Sequence, residues 1–188
     1  MTPDWIAYCL NEKNGPTLHD AHPVGDTPLT PSAVLLPLVF KHNAWHLLFI
    51  RRTMTVSHHK GQIAFPGGRT ENHDANPLAT ALRETKEELG LDPQQIRILG
   101  KLPPTPTTQT GFLIHPFVGI LPMEFQLHPD PREVADTLTV PLRFFLETPV
   151  PAWANARYAY QNEVIWGATA KITTLLAVCL LTESPCAL

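Results

Sequence analysis

Apolar positions fall in a few separated runs, and their spacing names the elements. Ser32–Phe40 (SAVLLPLVF) and Trp45–Ile50 (WHLLFI) are short apolar runs parted by the polar Lys41–Ala44, which predicts a β-hairpin. Pro37 places the first run at a sheet edge or a bulge, since proline cannot donate to a ladder. Gln62–Phe65 reads as a short strand running into a Pro66-Gly67-Gly68 turn. Leu78, Ala81, Leu82, Thr85 and Leu89 then follow the helical period. Pro77 suits the first turn of that helix, Gly90 its stop, and Pro93 lies just beyond. Ile96–Leu102, Leu113–Leu121 and Glu133–Val140 predict further strands, Pro141–Glu147 a short helix, and Arg157–Ile165 a last strand. Ile172, Leu175, Leu176, Cys179 and Leu180 return to helical spacing. Gly167, Lys171 and the threonines nearby make Val164–Leu181 a terminal helix that is amphipathic or largely buried, and not a membrane span. Strands flanking an internal helix, with a second helix at the end, predict an α/β domain with a mixed sheet.

Composition sharpens the boundaries. The chain has 188 residues, of which 20 are proline, and only Pro66, Pro77 and Pro93 fall between Leu38 and Leu102. The middle is therefore where regular elements and chemistry concentrate. Residues 1–31 carry five prolines and little periodicity, and they read as an extended N-terminal arm. Residues 183–188 read as a C-terminal tail. A net charge of −3, with no Lys/Arg run, gives no footprint for nucleic acid or anionic membrane. Cys9, Cys179 and Cys186 make neither a zinc spacing nor a disulfide framework, and no signal peptide opens the chain, so a cytoplasmic protein is expected. A homodimer is left open.

Acidic residues are uneven. Six of the 17 carboxylates lie between Glu71 and Asp92. On the predicted helix Glu84 and Glu88 are about 40° apart, one turn along one face, and Glu87 lies about 60° to the other side of Glu84. Like charges at this spacing, near a helix C-terminus, disfavour the helix locally. Hard divalent cations suit such oxygens. A solvated acidic face is the competing account. Paired glycines upstream allow close approach of backbone to a ligand or metal.

Gly68, followed by Arg83-Glu84-Thr85-Lys86-Glu87-Glu88-Leu89-Gly90-Leu91, resembles the signature of the Nudix hydrolases, G-x5-E-x7-R-E-U-x-E-E-x-G-U, where U is bulky and apolar. The second half matches at every fixed position, with Thr85 where an apolar residue is usual. The first half departs: Gly68 and Arg83 are one residue further apart, and Asp74 stands at the distance of the signature Glu. Glu71 and Asp74 are the acidic loop residues left to serve. Gly61 to Gly68 (GQIAFPGG), with Arg52 upstream, is similar to the coenzyme A pyrophosphatase branch, which shares the longer loop. Ser57 stands where that branch has a second arginine, and His58, His59 or Lys60 could replace its charge.

The resemblance implies a Nudix-type α/β/α sandwich around a central mixed β-sheet over residues 32–182. It implies hydrolysis of a small-molecule pyrophosphate, coenzyme A or a derivative, assisted by Mg²⁺ or Mn²⁺. Glu84 and Glu88 are then the principal metal ligands, with Glu87 and the Gly67 carbonyl as further ones. Arg83 orients the carboxylates by ion pairing. Glu84, Glu87 or Glu133, the last from a later loop, is the general base. Arg52, His59, Lys60, Gln62 and Gly68 are the substrate-binding candidates. Other readings are a Nudix enzyme for another nucleoside diphosphate derivative and a non-catalytic, ligand-binding Nudix domain.

Overall fold

The computed structural model describes residues 1–11, 28–54, 61–107 and 110–182, with the Asn11 side chain left aside. Helix α1 (Pro3–Asn11) precedes the hairpin of β1 (Thr30–Lys41) and β2 (Ala44–Arg52). His42 and Asn43 both have positive φ, as a tight two-residue hairpin turn requires. Next come β3 (Ile63–Ala64), β4 (Gly67–Arg69), α2 (Pro77–Leu89), β5 (Arg97–Lys101), β6 (Thr105–Pro106) and β7 (Phe112–Ile120). The chain closes with β8 (Val134–Pro141), α3 (Leu142–Glu147), β9 (Arg157–Tyr160), β10 (Glu163–Trp166) and α4 (Gly167–Thr182).

The central sheet runs β3-β2-β1-β7-β5, with β1 and β7 parallel and the other pairings antiparallel, so it is mixed. Its middle strands are buried on both faces, which explains runs of unbroken apolar residues where alternation would mark a half-exposed strand. Ala33, Leu35, Val39, Leu48 and Ile50 pack on α2 through Ala81 and Leu89. Leu36, Leu38, Leu47, Phe49 and Val118 face the opposite layer, with Ile6 and Cys9 of α1, Phe145 of α3, and Ile172, Leu176 and Cys179 of α4. The architecture is the expected α/β/α sandwich. Helix α4 lies among α1, α3 and the β9–β10 hairpin and is largely buried. No helix among the described residues is long and apolar enough to cross a membrane.

The hairpin is forked, and the fork positions the site. β1 pairs with β2 from Leu38 to Lys41, while its earlier residues Ser32–Val34 pair with β4. β2 in turn pairs with β3 at Ile50 and Arg51. Residues 63–69 thus wedge between the diverging strands.

Four expectations are corrected. Residues 1–31 are not wholly an extended arm: α1 is helical, and Ile6 is fully buried in the core. Pro37 is neither at an edge nor at a bulge. It sits inside the sheet at the fork, between Leu35, whose N–H donates to the Pro66 carbonyl, and Leu38, where pairing with β2 begins. A missing N–H is tolerated where the strand changes partner. Gly67-Gly68 is not a turn but strand β4. Arg157–Ile165 is a hairpin turned at Gln161, whose φ is 53°. The tail, residues 183–188, lies outside the described residues.

If α1 belongs to the core, Ile6→Ala should lower unfolding free energy by about 2–4 kcal/mol in chemical denaturation. A loss within about 0.5 kcal/mol would match a solvated arm instead.

Candidate active site

Helix α2 presents the acidic residues because its ends are chemically fixed. The Asn76 side chain accepts from the Ala79 N–H (2.9 Å), Pro77 opens the helix, and Gly90 closes it at φ 70° while donating to the Lys86 carbonyl (2.8 Å). Its buried residues are Thr80, Ala81, Thr85, Glu88 and Leu89. The inward face is therefore turned toward Glu88 from the Leu78–Leu82 side that the apolar stripe suggests. Thr85 can occupy an apolar position because its hydroxyl donates back to the Ala81 carbonyl (2.7 Å).

Glu88 is the buried carboxylate, only 1% exposed. The Gly67 N–H donates to its Oε2 (2.9 Å), and Arg52 Nη1 reaches Oε1 at 3.4 Å. Gly67 has φ 151°, and a Cβ there would lie 2.3 Å from the Ala33 carbonyl oxygen and 2.6 Å from Val34 Cα. Only glycine permits that approach. A Cβ on Gly68 would fall 2.4 Å from Glu84 Oε1, so the Glu84 carboxylate occupies the space a side chain would fill.

Arg83 gathers the remaining acids. Its Nη1 donates to Glu84 Oε1 and Glu87 Oε2, both at 2.9 Å, and Nη2 donates to the Arg69 carbonyl (3.1 Å). Nε and Nη2 make a two-point pair with Asp74, each at 3.0 Å. Asp74 also accepts from the Glu71 N–H (2.9 Å) and the Thr80 hydroxyl (3.0 Å), which fixes the loop residue that holds Arg83. Asp74 thus faces Arg83. Glu71 is exposed, 4.0 Å from Arg83 and 3.5 Å from His73.

Glu133 arrives from the loop between β7 and β8. The His128 and Asp130 N–H groups donate to the Leu89 and Glu88 carbonyls at the end of α2 (2.8 and 3.0 Å). The Thr53 N–H, beyond β2, donates to the Glu133 carbonyl (2.9 Å). Glu133 is exposed, yet close enough to Glu84 and Glu88 to raise the pKa of both.

Arg52, Gly67, Gly68, Glu84, Glu88 and Glu133 are brought together. Gln62 lies beside Arg52, its carbonyl accepting the Arg52 N–H (3.0 Å). His59 and Lys60, with Ser57 and His58, lie outside the described residues. The Gly61 N–H donates to the Arg52 carbonyl (3.1 Å). Glu87 projects outward, more than half exposed and bound to Arg83. Thr53 follows Arg52 at the Ser/Thr position of the branch motif, which is the sequence signal it carried.

Burial pushes Glu88 up to about 8, against the Gly67 N–H and Arg52, which favour its charged form. Burial also raises Glu84, opposed by Arg83. Among the described residues, no group of three or more His, Cys, Asp or Glu side chains is gathered tightly enough to hold a metal ion as the side chains stand. The expected trio of Glu84, Glu87 and Glu88 is thus not assembled, because Arg83 draws Glu84 and Glu87 to itself. The donor chemistry nonetheless fits a divalent cation: hard oxygens only, two from half-desolvated or desolvated carboxylates, each raised by the other acids.

The Asp74–Arg83 pair makes a stability prediction. Arg83 holds the Asp74 carboxyl well below the usual carboxylate range. A depressed acid stabilises the fold above its unfolded pKa near 4 and loses that contribution as pH falls toward the folded value. Asp74→Asn should therefore cost about 2–4 kcal/mol near pH 7. In melts from pH 7 to pH 3 the gap to wild type should hold above about pH 5 and narrow below about pH 4. A gap independent of pH would refute the pairing.

The chain is similar to known proteins in sequence and in fold. A sequence model of the NUDIX domain matches residues 29–160. A relative from Photorhabdus laumondii, named "Uncharacterized Nudix hydrolase NudL", is 39% identical over 156 residues, covering 78% of this chain and 82% of the relative. Its namesake from Pectobacterium atrosepticum is 35% identical over 157 residues, covering 78% of this chain and 81% of the relative. Among solved structures, the M. smegmatis Nudix hydrolase RenU shares the fold with a TM-score of 0.58 at 16% identity, covering 87% of this chain and 99% of that one. The MutT protein of Methanosarcina mazei Go1 does so with 0.56 at 16% identity, covering 86% and 99%. The domain match and the NudL relatives both span most of the chain, which belongs to the Nudix hydrolase family.

Proposed function

We propose that the chain hydrolyses the pyrophosphate bond of coenzyme A and its derivatives, releasing 4′-phosphopantetheine and adenosine 3′,5′-bisphosphate. Family membership supports cleavage of a nucleoside diphosphate derivative. The observation that carries the hydrolytic reading is the buried Glu88 carboxylate, bound by the Gly67 N–H and reached by Arg52, with the Glu84 carboxylate lying against the neighbouring Gly68. The coenzyme A reading is supported by Arg52, Gly61 and Phe65 to Gly68 in the branch motif, together with the loop one residue longer. Ser57 is the one motif position that favours a different nucleoside diphosphate derivative.

Glu84 and Glu88 would hold a divalent cation, Mg²⁺ or Mn²⁺, with the Gly67 carbonyl as a further ligand and Glu87 joining only on release from Arg83. Bound there, such an ion neutralises the pyrophosphate and lowers the pKa of a coordinated water. The chain's own residues do the rest. Arg83, fixed by Asp74, sets the direction of Glu84 and Glu87. Arg52 keeps positive charge beside Glu88 and faces the substrate phosphates. Glu133, exposed and close to Glu84 and Glu88, takes the proton of the attacking water. Gln62 and Gly68, beside Arg52 and Glu84, would contact the rest of the substrate, and His59 and Lys60 remain substrate-binding candidates from the sequence alone.

Purified protein with Mg²⁺ or Mn²⁺ should cleave coenzyme A fastest in a panel that includes NADH and ADP-ribose, with both products seen by mass spectrometry. Intact coenzyme A alongside rapid cleavage of another member would overturn the substrate assignment and leave the hydrolase reading standing. Glu84→Gln and Glu88→Gln should each lower kcat at least a hundredfold, on the order of losing a principal electrostatic element. Gly68→Ala should cost on the order of tenfold to a hundredfold in kcat by displacing the Glu84 carboxylate. Unchanged turnover in these variants would remove the helix carboxylates from the reaction.

A further inference from the structure

We propose that Thr53 is a positioning residue for the reaction, fixing the loop that presents Glu133 to Glu84 and Glu88. The proposal rests on Glu133 taking part in hydrolysis as read above.

The Glu133 carboxylate accepts no hydrogen bond among the described residues, and its side chain is exposed. Among the described residues its hydrogen bonds are those of its backbone. That backbone is held at two places. On one side the Asp130 N–H is bound to the Glu88 carbonyl, and the Asp130 carbonyl accepts from the N–H groups of Glu133 (3.0 Å) and Val134 (2.8 Å). This ties the loop to the very helix residue that carries the buried carboxylate. On the other side stands Thr53, itself buried. Its N–H donates to the Glu133 carbonyl, and its Oγ1 donates to the Arg132 carbonyl, each at 2.9 Å. Two consecutive carbonyls of the loop thus end on one residue.

Local geometry explains why a separate clamp is needed. The β2–β8 ladder slips between Arg51 and Arg52: Arg51 faces Asp136, but Arg52 faces Val134. A bulge at a strand end bends the chain and terminates regular pairing. Regular pairing ends one pair past it, at Arg52 and Val134, and the Thr53 N–H and hydroxyl supply the added contacts. Arg52, the preceding residue, reaches Glu88. The end of β2 thereby sets both the buried carboxylate and the loop acid.

The clamp is tested by a double-mutant cycle on steady-state hydrolysis with Mg²⁺. The substrate is coenzyme A, or ADP-ribose if the panel cleaves that faster. Thr53→Val keeps the side-chain shape and the N–H bond but leaves the Arg132 carbonyl without its hydroxyl donor. It should lower kcat about tenfold, the weight of one such hydrogen bond, with KM changed less than about twofold. Thr53→Ser should recover most of the loss. In a Glu133→Gln background, itself slowed on the order of a hundredfold, Thr53→Val should cost less than about twofold more. Multiplicative losses in the double variant, or a serine variant as slow as the valine one, would overturn the proposal while leaving Glu133 in the mechanism. A Glu133→Gln enzyme with wild-type kcat would overturn both. Thermal melts separate unfolding from these effects, and Thr53→Ser keeps the cycle readable if Thr53→Val folds poorly.

Discussion

Burying one carboxylate is the constraint on which the site depends. Glu88 is nearly inaccessible to water, and desolvation alone would strongly disfavour its charge. The surroundings are arranged around that cost. Gly67 brings its N–H within hydrogen-bonding distance, which is feasible because β4 lies so close to β1 that no side chain fits. The close approach in turn requires the β1–β2 hairpin to fork. The fork is tolerated because Pro37, with no N–H to leave unpaired, sits at the branch point. An interior strand proline, a glycine with no room for a Cβ and a buried acid are three parts of one solution.

A second tier of contacts controls the acids that are not buried. Arg83 is bound by Asp74 on one side and by Glu84 and Glu87 on the other, so its charge is distributed over three carboxylates. Asp74 is locked by the Glu71 N–H and the Thr80 hydroxyl. A shorter acid at the signature's glutamate position is matched here by a loop one residue longer, and the two-point pair with Arg83 is made. The loop from His128 to Glu133 closes the arrangement by satisfying the Glu88 and Leu89 carbonyls that the helix end leaves open.

What could be read from the sequence was what local chemistry decides. Pro77 and Gly90 bracket α2 because a missing N–H and a positive φ are properties of single residues. The Lys41–Ala44 turn and the largely buried terminal helix were legible for the same kind of reason. What escaped depends on distant partners. Gly67-Gly68 became a strand because Ala33 and Val34, far back in the chain, pair with it. Prolines scattered through residues 1–31 hid a short helix whose Ile6 finds its place only against the sheet. The apolar stripe of α2 gave its general face, but the register that puts Glu88 inward is set by the sheet beneath. The role of Thr53 is visible only once the loop after β7 has folded back onto β2. Arg52 and Glu84 were legible because the signature preserves a pattern whose reason is spatial.

Glu88, buried though it is, would hold a cation together with Glu84. Mn²⁺ binding, followed by calorimetry and by the electron paramagnetic resonance of the free ion, tests it directly. Wild-type protein should show a defined site whose affinity falls by at least about tenfold in Glu88→Gln, while Glu124→Gln, exposed near the β7 end of the β7–β8 loop, leaves it unchanged. Equal affinity in wild type and Glu88→Gln would place the cation away from Glu88.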